Sequence, residues 1–288
     1  MSNILEIKNV SKCYNQSSFA LDNVSFSLPQ GSIMGYVGEN GAGKTTTIGC
    51  ILNTLCQDSG DILLFGKEMT DSDTAIREDI GVVYDGDNFP QYLSASQLAN
   101  IMRGLYKNWD NAFFTKQLAD FKINAKQKIK SYSRGMTMKL AIAVALSHYP
   151  KLLILDEATS GLDPIMRDEI LDILLDFVQD ETHSILLSSH ITSDLEKIAD
   201  YITFIHNGKI ILTETKDNLI YQYAVLRCDA KQFANLDKED IIAYRKRDYQ
   251  IDVLVSDIKI ARGKYKNVIA DTVAIDEIML LLVKGVQE

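Results

Sequence analysis

Apolar residues in this chain recur with two different periods, and the switch between them divides it. From Ile4 to Leu28 the spacing is strand-like: Leu5, Ile7 and Val10 face one way, and Leu21, Val24, Phe26 and Leu28 mark a second amphipathic strand. Pro29-Gln30-Gly31 is a tight turn that delivers the chain to Ser32–Val37, a short, mostly apolar run expected to be a buried strand. Gly60–Lys67 and Ile80–Tyr84 read as further strands, the second leading into the polar loop 85–90. From Ser94 the period lengthens. Leu98, Ile101, Met102, Leu105 and Tyr106 recur at three and four, which predicts a helix capped by Ser94, and a second helix is expected over Ala112–Phe121. Residues 88–148 carry no strand signal and read as a helical insertion in an α/β core.

The strand period returns with Lys151-Leu152-Leu153-Ile154-Leu155-Asp156-Glu157, a continuous apolar run closed by two carboxylates. Such runs are central parallel strands, buried on both faces. Ser184–His190 repeats the design, and Tyr201–Ile205, a turn over residues 206–209 and Ile210–Leu212 form a hairpin signal. After about Lys216 the character changes to short strands (223–228, 249–255, 268–270) and a final amphipathic helix over Ala274–Lys284, expected to form a small α+β appendage that docks or dimerises.

Composition narrows the class. The chain has 288 residues, 46% hydrophobic and 24% charged, as ordinary globular proteins do, with room for one large domain and a small one. No apolar run approaches the roughly 20 residues of a spanning helix, and Asn3, Glu6 and Lys8 interrupt any signal-peptide core. Cys13, Cys50, Cys56 and Cys228 lack metal spacing and read as reduced thiols of a cytosolic protein. The net charge of −9 argues against nonspecific nucleic-acid binding, so no nucleic-acid partner is expected.

The chemistry concentrates in Gly38-Glu39-Asn40-Gly41-Ala42-Gly43-Lys44-Thr45, which fits the phosphate-binding pattern G-x-x-x-x-G-K-[ST] between an expected strand and an expected helix. Glycines let the backbone N–H groups form a nest at the positive end of the following helix. Lys44 is expected to reach the β- and γ-phosphates, and the Thr45 hydroxyl to ligate Mg²⁺. The plain alternative, a Gly-rich turn that binds nothing, has the flanking elements against it. Asp156, at the carboxyl end of a central strand, is placed to hold the metal opposite Thr45, and Glu157 to orient or deprotonate an attacking water. His190 ends a core strand on the same edge, where its imidazole suits a γ-phosphate oxygen. His148, His183 and His206 read as structural or surface residues. Tyr14, in the expected polar loop Lys12-Cys13-Tyr14-Asn15-Gln16 upstream, is a candidate for adenine stacking or an ordinary surface or half-buried tyrosine.

These motifs in this order resemble the nucleotide-binding subunits of ABC transporters, over residues 1 to about 216. Gly38–Thr46 is similar to Walker A and Leu152–Asp156 to Walker B, followed by Glu157 as the catalytic carboxylate. Ser160-Gly161-Leu162-Asp163 is similar to the D-loop, His190 to the switch histidine and Tyr14 to the A-loop aromatic. Ser131–Met136 falls at the signature position, with Ser133 and Gly135 as donors to a γ-phosphate. The resemblance implies a P-loop NTPase fold. Its parts are a RecA-like α/β core, an antiparallel β subdomain and the helical subdomain, with residues 217–288 as an accessory unit. It also implies ATP and Mg²⁺ as ligands and a head-to-tail sandwich with a second ATP-binding subunit, the same or different. Separate transmembrane permease subunits at the cytoplasmic face of the membrane complete the assembly. The general layout resembles bacterial exporters of drugs, lantibiotics and other peptides.

Two motifs depart from the family pattern. In the signature Arg134 replaces a glycine and Met136 a glutamine, and Arg134 is expected to point to solvent, with charge stabilisation of a γ-phosphate as the alternative. Asp85 stands where the family has the Q-loop glutamine that touches Mg²⁺, with Gln91 a few residues on. Two other functions stay open at this point: a weakly hydrolysing, ATP-gated regulatory partner, and a soluble ABC ATPase outside transport. Phe89–Leu93 with Leu98, Ile101, Met102 and Tyr106 is the expected groove for a membrane partner's helix, or the helical subdomain's own core, which some of these side chains must serve.

Overall fold

The computed structural model describes residues 2–14, 19–70, 73–86 and 88–286. An antiparallel sheet opens the chain, with β1 (Asn3–Cys13) between β2 (Ala20–Pro29) and β4 (Ser59–Leu64), and β5 (Lys67–Glu68) on the edge. The central sheet comprises β3 (Ile33–Val37), β6 (Ile80–Tyr84), β7 (Leu152–Asp156), β8 (Ser184–Ser189), β9 (Tyr201–His206) and β10 (Lys209–Thr215). Its order is β10-β9-β3-β8-β7-β6, parallel throughout except for β10, which pairs antiparallel with β9. Every residue of β3, β7 and β8 is buried, which explains why these strands read as apolar runs rather than alternating ones.

Helices cover both faces. On one, α1 (Lys44–Ile51) and the antiparallel sheet share a core with Met34, Tyr36, Ile154 and Leu186. The short α2 (Thr74–Glu78) precedes β6. On the other, α5 (Arg134–Leu146), α6 (Pro164–Phe177) and α7 (Thr192–Ile198) pack onto Leu153, Leu155, Ile185 and Leu187. The helical region is built by α3 (Ala95–Leu105), α4 (Asn111–Asp120) and the second half of α5, through Leu140, Ala143 and Val144. Ser94 and Gln97 form a reciprocal capping box on α3, and Asp110 caps α4.

From Lys216 the chain builds a second antiparallel sheet, order β12-β13-β11-β14, from β11 (Ala224–Cys228), β12 (Ala243–Lys246), β13 (Ile251–Val255) and β14 (Ile269–Thr272). Its helices are α8 (Lys216–Tyr221), α9 (Ala230–Ala234), α10 (Ile258–Lys264) and α11 (Ile275–Lys284). This region has a core of its own around Leu226, Val253 and Ile258. It also lays Leu219, Val225, Leu254, Ile275 and Ile278 into the core under the central sheet, and the Ile275 N–H donates to Glu196 on α7. It is seated on the body of the protein by apolar burial rather than hung from it.

Three local expectations change. The predicted strand 60–67 ends at Leu64, because Phe65 (φ 52°) and Gly66 (φ 74°) turn left-handed and fold Lys67–Glu68 back as a hairpin. Lys12 and Cys13, expected in a loop, extend β1 and pair with Leu21 and Ala20. The expected groove is largely core: Leu98 is buried, Phe89, Leu93 and Met102 pack against the same cluster, and Tyr106 stacks on His148 at 4.0 Å. Tyr92, Ile101 and Leu105 are the exposed apolar side chains of that stretch.

Candidate active site

The loop from Gly38 to Gly43 leaves the carboxyl end of β3 and enters α1. Its position is set by the molecule around it. The Gly208 N–H in the β9–β10 turn donates to the Ala42 carbonyl at 2.9 Å, and Ala42 N–H to the Glu39 carbonyl at 3.1 Å. Gly43 has φ 121°, and a Cβ there would lie 2.7 Å from Leu21 Cδ2 and 3.1 Å from Phe19, so only glycine fits between loop and β2. Gly38 is buried, Gly41 has φ 81° with open space beside it, and Asn40 is exposed at the tip. The buried Tyr36 hydroxyl meets Thr47 Oγ1 at 3.0 Å and locks α1 to β3.

No side chain caps α1, whereas Ser94, Asp110, Ser133 and Asp163 cap helices elsewhere in the described residues. Its first N–H groups lack intrahelical acceptors, so the bare positive end suits an anion. Lys44, 6% exposed, donates through Nζ to the Gly38 carbonyl at 2.7 Å and lies 3.0 Å from Glu157 Oε1. Thr46 continues α1 half-buried.

β7 and β8 bring the acidic side chains to the loop. Asp156 is directly opposite Ser188 in the parallel register. Its Oδ2 accepts from Thr45 Oγ1 at 2.8 Å, and its Oδ1 from Ser188 Oγ. Thr45 and Asp156 thus present hard oxygen donors side by side, the donor chemistry Mg²⁺ takes. Glu157 follows with φ 55°, a left-handed backbone uncommon for a non-glycine residue and a feature that clusters at functional sites. Its N–H donates to Ser188 Oγ at 3.1 Å, its Oε2 lies 2.5 Å from His190 Nδ1, and its buried Oε1 accepts no well-aligned hydrogen bond. Glu157 therefore stands between Lys44 and His190 with acceptor capacity in hand, as a residue that orients water needs. Sequence reasoning passed over Ser188, although a serine inside an apolar strand must find a buried partner.

Tyr14, 36% exposed, has its ring 6.4 Å from that of Phe19, which borders Gly43. Ser133 caps α5 by accepting from Met136 N–H at 3.2 Å, leaving its own O–H to donate. Gly135 is buried against Met166. Asp163 accepts from Ile165 and Met166 N–H and caps α6.

Two expectations are corrected here. Asp85 was expected to face the metal and Arg134 the solvent. Their side chains instead pair with each other, Arg134 Nη2 to Asp85 Oδ1 at 2.6 Å. The Asp85 main chain stays beside the acidic cluster, its N–H donating to the Asp156 carbonyl at 2.9 Å. The half-exposed guanidinium is the nearest charge partner, and the short aspartate side chain takes it. Gln91, a few residues on, has its main-chain carbonyl held by Lys130 N–H at 3.0 Å. His148 is structural as expected: Nδ1 meets the Glu78 carbonyl at 3.0 Å, and burial pushes its pKa below the ordinary value.

The sequence profile of the ABC transporter family matches residues 21–160. A lantibiotic transport ATP-binding protein, SrtF of Streptococcus pyogenes, is 36% identical over 218 residues, covering 74% of this chain and 92% of that protein. The bacitracin transport ATP-binding protein BcrA of Bacillus licheniformis is 35% identical over 215 residues, 73% of this chain and 69% of its own. Among solved structures, an ATP-binding subunit of an ABC transporter superposes with a TM-score of 0.68 at 26% identity, over 75% of this chain and 91% of that one. With a phosphate loop, an acidic strand end and relatives that each match over most of their length, the chain belongs to the ATP-binding, ATP-hydrolysing subunits of ABC transporters.

Proposed function

We propose that this chain powers export of an amphipathic peptide, antimicrobial or drug-like molecule through separate membrane subunits, working at the cytoplasmic face of the membrane. The single observation that carries the ATPase part is the contiguous set Lys44–Glu157–His190 beside Thr45–Asp156–Ser188. The similarity to a lantibiotic transport protein over most of that protein's length supports the substrate class.

In this proposal Tyr14 stacks the adenine, the N–H groups over Gly38–Thr46 and Lys44 bind the phosphates, and Thr45 and Asp156 hold Mg²⁺. The metal, when bound, neutralises charge on the β- and γ-phosphates. Glu157 orients the attacking water and accepts its proton, while His190 fixes the Glu157 carboxylate and the γ-phosphate side of the site. Ser133, Gly135 and the Asp163 loop serve the nucleotide of a second ATP-binding subunit. Ser188 holds Asp156 in its rotamer. Tyr92, Ile101 and Leu105, the exposed apolar side chains of the helical region, are the surface we assign to the membrane partner. The accessory unit, residues 217–288, is assigned to docking or dimerisation.

The test uses inverted membrane vesicles carrying this chain with the membrane subunits that copurify with it. A cationic amphipathic peptide should enter them only with ATP, and Tyr92→Glu with Ile101→Glu should abolish entry while leaving nucleotide binding intact. Entry confined to right-side-out vesicles would reverse the direction, and no entry in either would remove the transport assignment. The engagement of Arg134 by Asp85 favours one second reading, a slow partner in a heterodimer, for which wild type and Glu157→Gln would turn over ATP equally.

A further inference from the structure

Two of the three residues at which this chain departs from its family pattern, Arg134 and Asp85, meet each other. Arg134 is the first residue of α5, directly after the Ser133 cap, and Asp85 is the first residue after β6. They are 49 residues apart in sequence and joined by a 2.6 Å ion pair. The guanidinium has a third neighbour: a Cβ built on Gly161 would fall 2.6 Å from Arg134 Nη1 and 2.7 Å from its Cζ. Gly161 (φ 66°) belongs to the loop that leaves β7, a few residues beyond Asp156 and Glu157. Arg134 therefore lies flat on one loop and clasps the tip of another.

We propose that Arg134 and Asp85 form a clasp that sets the N-terminal end of α5 against the acidic strand ends, so that Arg134 acts as a positioning residue for hydrolysis. The connection is short and continuous. Asp85 N–H is bonded to the Asp156 carbonyl, and Asp156 holds Thr45, while Ser133 and Gly135 sit on the α5 turn that Arg134 begins. A shift of the loop after β6 is thereby carried to the α5 end and to the Gly161 loop together. The pair is half-exposed, with side chains 50% and 40% accessible, so it adds little to folding. Its consequence is in loop register, and its removal leaves the fold intact. Toward Asp85 the single Nη2–Oδ1 contact requires the charge, while the face laid on the Gly161 loop uses the guanidinium plane. The clasp rests on the ATPase function proposed above and adds to it which side chains set the geometry between the two loops.

The test is a double-mutant cycle on the full-length chain with Arg134→Gln, Asp85→Asn and the pair combined, together with Arg134→Lys. Each single change should lower ATP turnover about tenfold, within the range of coupling between sites, while the affinity for a fluorescent ATP analogue stays within about twofold. The double variant should be no worse than either single, and Arg134→Lys, which keeps the charge toward Asp85 but not the plane on the Gly161 loop, should recover part of the loss. Singles that leave turnover unchanged, or a double that multiplies the two losses, would overturn the clasp. The same cycle in a Glu157→Gln background, read as the constant for ATP-dependent dimerisation, needs no hydrolysis. Wild-type turnover equal to that of Glu157→Gln would defeat the ATPase assignment, and the dimerisation cycle would then decide the clasp on its own, additive there counting against it.

Discussion

Two charged clusters in this molecule use the same residue types to opposite ends. In the C-terminal region Arg227 reaches Asp252 at 2.9 Å, Glu277 at 2.8 Å and Asp271 at 3.4 Å, and Arg247 closes on Asp252 from the other side at 2.8 Å. Burial alone would push Asp252 upward, but hydrogen bonds from Gln250 and Arg227 and both arginine charges hold its pKa below the usual carboxylate value. Every element of this cluster is regular backbone, and the network ties β11, β13, β14 and α11 together. At the end of β7 the arrangement is different. Glu157 has left-handed backbone and a buried oxygen without an aligned donor, and Lys44 divides itself between a carboxylate and the loop's own carbonyls. Each cluster holds a buried carboxylate oxygen with an ion-pair partner but no aligned hydrogen bond, Asp252 Oδ2 against Arg247 and Glu157 Oε1 against Lys44. What separates them is their setting: one network staples a sheet, and the other sits on the left-handed backbone of Glu157 beside the uncapped end of α1, as a site that is to meet a ligand does.

The sharpest way to break this contrast is to remove a member from each side. Asp252→Ala should cost about 3 kcal/mol of stability, the low end for breaking a buried pair because Arg227 keeps Asp271 and Glu277. Urea denaturation reads that loss, and turnover per folded molecule should be unchanged. Lys44→Ala should do the reverse: turnover falls on the order of 10²-fold, as when a preorganised donor to a reacting group is lost, with the denaturation midpoint retained. If Lys44→Ala destabilised as much as Asp252→Ala, the two clusters would be alike after all.

Smaller effects refine the comparison. Tyr14→Ala should weaken ATP binding by about 1 kcal/mol, roughly fivefold, the worth of one aromatic contact, and titration calorimetry checks it. His148 gives a pH signature outside both clusters. Its folded pKa is lowered by burial beneath its ordinary value of 6.5. The unfolded chain therefore binds more protons in the window below 6.5, so the stability His148 contributes is complete above that pH and is lost as pH falls through it. Denaturation midpoints measured from about pH 7.5 down to about 5.5 should decline, and His148→Phe should flatten that decline.

Much of the nucleotide site was legible in the sequence because its physics is local. Lys44 and Thr45 follow a glycine loop at a strand–helix junction, and Asp156 and Glu157 end an apolar run that only a central strand explains. Ser188 was hidden because its partner, Asp156, is across the sheet rather than along the chain, although the apolar setting of that serine was a usable signal. The Arg134–Asp85 pair was out of reach for a stronger reason: nothing in local pattern links residues in two loops 49 positions apart. Groove and core could not be separated in the sequence because helical spacing marks a buried face as readily as a docking face; Leu98 and Met102 went to the core, and Tyr92 and Ile101 stayed exposed. In the C-terminal region three of the four strands were legible; β12 (Ala243–Lys246) was not, nor was the packing of Leu219, Leu254 and Ile278 beneath the central sheet.

The claim on which the rest depends is that Glu157 does chemistry rather than structure. Steady-state ATP turnover of Glu157→Gln against wild type, paired with sedimentation with and without ATP and Mg²⁺, tests it directly. Turnover should fall at least about 100-fold, the range for a lost general base, with stability unchanged and an ATP-dependent dimer accumulating. Equal turnover in the two proteins would contradict the account.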